Sequence, residues 1–168
     1  MIYFTILISI IIFIWAILHF GNKPKIHRKI PQNNLKKYLE VLLNRGYDRS
    51  FIIIQVPWDK KFKRFLQYTK YIGDNNVGLE FDYPLAEWSK PYYDKLKSIL
   101  QKSHIGFEIE KTDQKEVPEF LVIDIKKDLE MASKISILVL QDMYNLGPND
   151  FVELYFYNIS PREERIGF

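Results

Sequence analysis

Residues 151–159 read FVELYFYNI, and this stretch decides the fold class. Val152, Leu154 and Phe156 alternate with Glu153, Tyr155 and Tyr157, the period-2 pattern of a half-buried strand. The apolar set must face a core, because a one-residue slip would bury Glu153 at a cost of roughly several kcal/mol. Tyr155 and Tyr157 then stand on the other side, about 7 Å apart. Large rings outside the core give contact area at low entropic cost, so these two tyrosines are the candidate partner-binding residues.

Working outward, the preceding segments carry strand and helix signals in turn. Leu35, Tyr38, Leu39, Leu42 and Leu43 recur at helical spacing, with Asn33 or Asn34 available to cap the start and Gly46 to stop the end. Phe51 to Val56 (FIIIQV) is a β-branched run closed by Pro57. Residues 62–72 fit either period, but the turn-rich Gly73-Asp74-Asn75-Asn76 before Val77 to Tyr83 (VGLEFDY) favours a hairpin. A second helix runs through Tyr92, Leu96, Ile99 and Leu100. Two strands follow, Ile105 to Ile109 and Phe120 to Ile125, flanking a charged loop from Glu110 to Glu119. A third helix, lined by Leu129, Ala132, Ile135, Ser136, Val139, Leu140 and Met143, ends at Gly147-Pro148. The order is α-β-β-β-α-β-β-α-β. Hairpin connections dominate, so the class is α+β with an antiparallel sheet.

At the other end of the chain, residues 2–20 (IYFTILISIIIFIWAILHF) contain no Asp, Glu, Lys or Arg. Nineteen helical residues span roughly 28 Å, about the hydrocarbon thickness of a bilayer. The expected fold is therefore an N-terminal transmembrane helix followed by a small antiparallel sheet packed with about three helices. Residues 1–20 read as a transmembrane anchor, 21–32 as a basic juxtamembrane linker and 33–168 as the α+β domain. Lys23, Lys25, Arg28 and Lys29 follow the apolar run and are candidate membrane-surface residues. By the positive-inside rule they put the C-terminal domain in the cytoplasm, giving a single-pass protein of a bacterial inner membrane whose residues 2–20 contact the lipid bilayer. Richness in Ile, Lys, Asn and Tyr fits an AT-rich bacterial genome.

Charge bounds the partners. Of 24 basic residues, four sit between 23 and 29, which leaves 20 against 21 acidic residues in the domain. A nucleic-acid partner wants a basic domain, and this one is slightly acidic. There is no cysteine, which excludes disulfides, thiolate chemistry and Cys-ligated zinc. His19 and His27 precede the domain, so His104 stands alone in it and is read as a residue of a helix end. No phosphate-binding loop or nucleophile elbow occurs among seven dispersed glycines. Glu80 and Asp82 alternate on one strand, as do Glu108 and Glu110. Either pair is a solvated strand face or, in a pocket, a shared-proton or cation site. No catalytic residue, cofactor or metal is assigned.

Several short patterns resemble the TY-Chap domains, relatives of the bacterial type III secretion chaperone fold. They are Phe65-Leu66-Gln67-Tyr68, Leu79-Glu80, Ile105-Gly106-Phe107 and Leu140-Gln141-Asp142-Met143-Tyr144 before Asn145-Leu146-Gly147, within about residues 50–150. The resemblance implies a secretion-chaperone-like sheet, protein binding and no catalytic residues. The expectation is a membrane-anchored, cytoplasmic, chaperone-like protein-binding module that is not an enzyme. Its partner would be a protein or peptide, an effector or a toxin. The alternative is an immunity protein that neutralises a bacterial toxin, and behind it stands a small acidic-site hydrolase that needs Glu80 and Asp82 in a pocket.

Overall fold

The structure is a computed structural model that describes residues 26–58, 64–74, 76–111 and 119–159. Its elements are β1 (Ile26–Pro31), α1 (Leu35–Arg45), β2 (Gly46–Gln55), β3 (Phe65–Ile72), β4 (Val77–Leu85), α2 (Lys90–Lys102), β5 (Glu108–Glu110), β6 (Glu119–Lys126), α3 (Leu129–Leu138) and β7 (Phe151–Ile159). The strands form one sheet in the order β1-β7-β2-β3-β4-β6-β5, with antiparallel neighbours throughout.

Helix α1 buries Leu35, Tyr38, Leu39 and Leu42, with Leu43 half-buried; α2 buries Leu96 and Leu100 of its expected stripe together with Tyr93, while Tyr92 and Ile99 are half-buried. Helix α3 starts at Asp128, whose carboxylate accepts a hydrogen bond from the Met131 amide at 2.9 Å. It buries Ala132, Ile135 and Ser136, then widens into a π turn over Val139–Met143 that keeps Val139, Leu140 and Met143 inside. Helix α1 ends at Gly46, where an added Cβ would lie 2.7 Å from the Leu42 carbonyl oxygen. The buried Lys70 ammonium caps that end by donating to the Gly46 carbonyl at 2.7 Å, a cation placed at a helix C-terminus.

All three helices share a single core with the inward residues of the strands, among them Ile52, Ile54, Tyr68, Phe81, Ile123 and Leu154. The helices therefore cover one face of the sheet. Tyr68 ties the layers together: its hydroxyl lies 2.8 Å from the Ala132 carbonyl and 2.9 Å from Ser136 Oγ, both on α3. Tyr144, after the π turn, donates to the Phe65 carbonyl at 2.9 Å. Satisfying these buried hydroxyls keeps large aromatics in the core without orphaned polar groups.

The expected architecture is corrected in two respects. Residues 1–25, where the transmembrane anchor and the site residues Lys23 and Lys25 were expected, lie outside the described residues; among the described residues no helix is long and apolar enough to cross a membrane. The described residues form a seven-stranded antiparallel sheet carrying three helices. Second, residues 26–31 are not linker. They form the strand β1, paired with β7 from Ile26↔Phe156 to Pro31↔Phe151. The reason is again period 2: Ile30 is buried at 4% exposure while Lys29 beside it is exposed. Of the basic residues read as a stalk, Lys29 is an outward position of this edge strand, whereas Arg28 shares the phase of Ile30 and is half-buried.

Candidate functional site

The face of the sheet opposite the helices has no helix packed on it among the described residues, and side chains there come in two halves. On β2 and β7 they are aromatic and apolar. Phe51 and Tyr157 are cross-strand partners whose rings stack at 4.4 Å and 12°. Ile53 pairs with Tyr155 in the next row. Tyr155 donates to Glu153 at 2.9 Å, and its phenol is pushed up to about 12, first by burial and then by that carboxylate. The sequence-derived pair Tyr155 and Tyr157 thus stands on the open face, half-buried against its neighbours, while Val152, Leu154 and Phe156 fill the core.

On β4, β6 and β5 the same face is acidic. Glu80 lies directly across from Asp124, and Asp82 across from Val122, which pairs in turn with Glu108 on the terminal strand. A groove of about 920 Å³ runs over this half. Asp48, Glu80, Glu108, Glu110 and Asp124 line it against two cations, Arg49 and Lys126. Asp82 accepts hydrogen bonds from Thr69 and Gln67 on β3. Burial raises its carboxyl above the ordinary range, and the nearby Glu110 adds to the rise while Thr69, Gln67 and Arg49 oppose it. Glu80 is also raised, by burial first and then by Asp82, Glu110 and Asp124, with Arg49 opposing. Among the described residues no group of acidic or histidine side chains is arranged to hold a metal ion.

Local backbone explains how the groove is built. Arg49 has a left-handed backbone (φ 60°) where the β2–β7 register shifts, and this brings its charge within range of Glu80 and Asp82. Lys126 is left-handed too (φ 54°), at the irregularity between β4 and β6. Gly78 lies at the same place: a Cβ there would sit 2.4 Å from the Tyr71 hydroxyl and 2.8 Å from the Lys126 Cα. The bare glycine lets the Tyr71 side chain approach, and that ring donates to Asp124 at 3.0 Å across the sheet.

Sequence reasoning pairs Glu80 with Asp82 but misses Asp124, Asp48, Arg49 and Tyr71. No spacing signal could have found them, because they meet through the β3-β4-β6 register and through two irregular strand positions. The other expected residues disperse. Arg28 and Lys29 are on β1, at the opposite edge from the groove. His104 is an exposed left-handed residue (φ 55°) whose amide closes the end of α2 on the Gln101 carbonyl at 3.1 Å. The loop 112–118 lies outside the described residues.

No family model matches the chain, and no solved structure gives a significant match. Three curated proteins are similar over about half of it. Elongation factor 4 of Campylobacter concisus is 33% identical over 93 residues, 55% of this chain and 15% of that protein. Elongation factor 4 of Campylobacter fetus is 35% identical over 83 residues, 49% of this chain and 14% of the relative. The same factor of Campylobacter curvus is 34% identical over 93 residues. The chain thus spans about 15% of the length of the relatives it matches. These relatives are elongation factors, and no described helix can cross a membrane. The expected single-pass inner-membrane location, with its transmembrane keywords, is corrected by the second of these: among the described residues no helix is long and apolar enough to cross a membrane.

Proposed function

We propose that this chain is a chaperone-like binding module, not an enzyme, that holds a protein or peptide partner on the open face of its sheet. One observation carries the reading: the described helices cover one face of a seven-stranded sheet, and the other presents Phe51, Ile53, Tyr155 and Tyr157 beside a charged groove. Rigid rings flanked by polar groups are the composition of a protein interface. The acidic groove argues against a single-stranded nucleic acid on the same rings, since phosphates would meet carboxylates. The test is a double variant, Tyr155→Ser with Tyr157→Ser, in the full chain. Affinity for a polypeptide captured by the full chain should fall at least about tenfold, or about 1.4 kcal/mol, with the circular dichroism spectrum intact. Unchanged affinity in the folded variant would refute the reading.

A small acidic-site hydrolase is a second reading with an observation of its own: Glu80 and Asp82 share one end of the open face, and both carboxyls are raised by burial. It predicts turnover of a bound substrate that Glu80→Gln abolishes. Mass spectrometry of the bound partner separates the two, because a binding module returns it uncut.

A further inference from the structure

The acidic half of the open face is organised in rows. Glu80 and Asp82 are two residues apart on β4, and Glu108 and Glu110 repeat that spacing on β5. Residues two apart on a strand stand about 7 Å apart on one face. Glu80 also faces Asp124 directly across the ladder, an arrangement of like charges that costs stability. The groove holds five carboxylates against two cations, so charge within the described residues does not balance it. Beside it, β5 is the terminal strand of the sheet, and no described strand pairs with its outer side. A three-residue acidic edge offers backbone donors and acceptors together with negative charge.

We propose that the segment captured here is a basic, extended stretch of polypeptide with lysine or arginine at every second position, laid along the outer side of β5. This rests on the open face being the partner surface and names the chemistry of the partner. Strand addition supplies the main-chain hydrogen bonds, and alternation supplies the specificity. Cationic side chains at every second position fall on the open face at the spacing of Glu108 and Glu110, as direct cross-strand neighbours. An added strand with acidic residues at those positions would repeat the Glu80–Asp124 repulsion.

The experiment is fluorescence anisotropy on the full chain with three labelled probes. They are a ten-residue peptide alternating lysine and threonine, its glutamate–threonine counterpart and a ten-nucleotide single strand. The lysine peptide should bind, lose affinity as salt rises, and bind at least tenfold more weakly to the variant Glu108→Gln with Glu110→Gln. A control variant, Asp94→Asn with Glu130→Gln, removes the same charge from exposed positions on α2 and α3 and should leave affinity within twofold. Equal losses in the two variants, no binding of the lysine peptide, or tighter binding of either other probe would overturn the proposal. If the lysine peptide fails while the double tyrosine variant still loses its captured polypeptide, the open face remains the partner surface and only the basic segment is wrong. If the tyrosine variant also keeps its partner, the reading of the open face fails as well.

Discussion

The two faces of the same strands obey different rules. On β4, Leu79, Phe81 and Tyr83 are fully buried beneath the helices, while Glu80 lines an acidic groove and Asp82 accepts hydrogen bonds from Thr69 and Gln67 on the open face. On β3, Leu66 and Tyr68 enter the core, whereas Gln67 and Thr69 serve a carboxylate. The covered face is chosen for packing and hydrogen-bond satisfaction. The open face keeps features that cost stability: a cross-strand acidic pair, raised carboxyls and half-exposed rings.

Substitutions on the two faces should therefore diverge, and the largest effect belongs to the covered one. Phe81→Ala should cost about 3–5 kcal/mol, because it empties the centre of the core beside Tyr68, whose ring packs edge-on at 5.4 Å. Urea denaturation would show it as a lowered midpoint at an unchanged slope. A loss below about 1 kcal/mol would mean that Phe81 is not at the centre. On the open face, Tyr157→Ser should cost only about 1 kcal/mol, the loss of one stacked ring on Phe51. A cost equal to that of Phe81→Ala would erase the distinction between the faces.

A subtler contrast concerns pH. The Asp82 carboxyl is raised above its ordinary value of 3.8 in the fold, so between those values the native state binds the extra proton. The contribution is fully present below the unfolded value and is lost as pH rises through the folded one. The groups that act on Asp82 are Thr69, Gln67, Glu110 and Arg49, and it acts in turn on Glu80. Asp82→Asn should be at least as stable as the parent at neutral pH and should gain less on acidification toward pH 5. An identical pH profile would show that the groove carboxylates are solvated like any surface acid. The smallest effect is expected at the ion pair between Lys36 and Glu130, both on exposed positions. Glu130→Gln should leave the melting temperature unchanged by scanning calorimetry.

Much of this contrast was written in local sequence. The alternation of Val152, Leu154 and Phe156 assigned the inner face of β7, and the 3.6-residue period picked out the buried stripes of the helices. Non-local facts were not legible. Asp124 reaches Glu80 only through the β4–β6 register, and Arg49 only through a bulge, so neither could be placed beside Asp82 by counting residues. Strand β1 was hidden because its Arg28 and Lys29 look like a membrane-edge stalk. The apolar run at 2–20 reads as an anchor, and it lies outside the described residues.

Site-specific photocrosslinking in the cells of origin tests the central claim most directly, with a photoreactive residue placed at Tyr157 on the open face or at Lys134 on the exposed side of α3. The account predicts a discrete adduct of this chain with a second polypeptide from position 157 and none from position 134. An adduct from position 134 alone would put the partner on the helices and contradict the assignment of the open face.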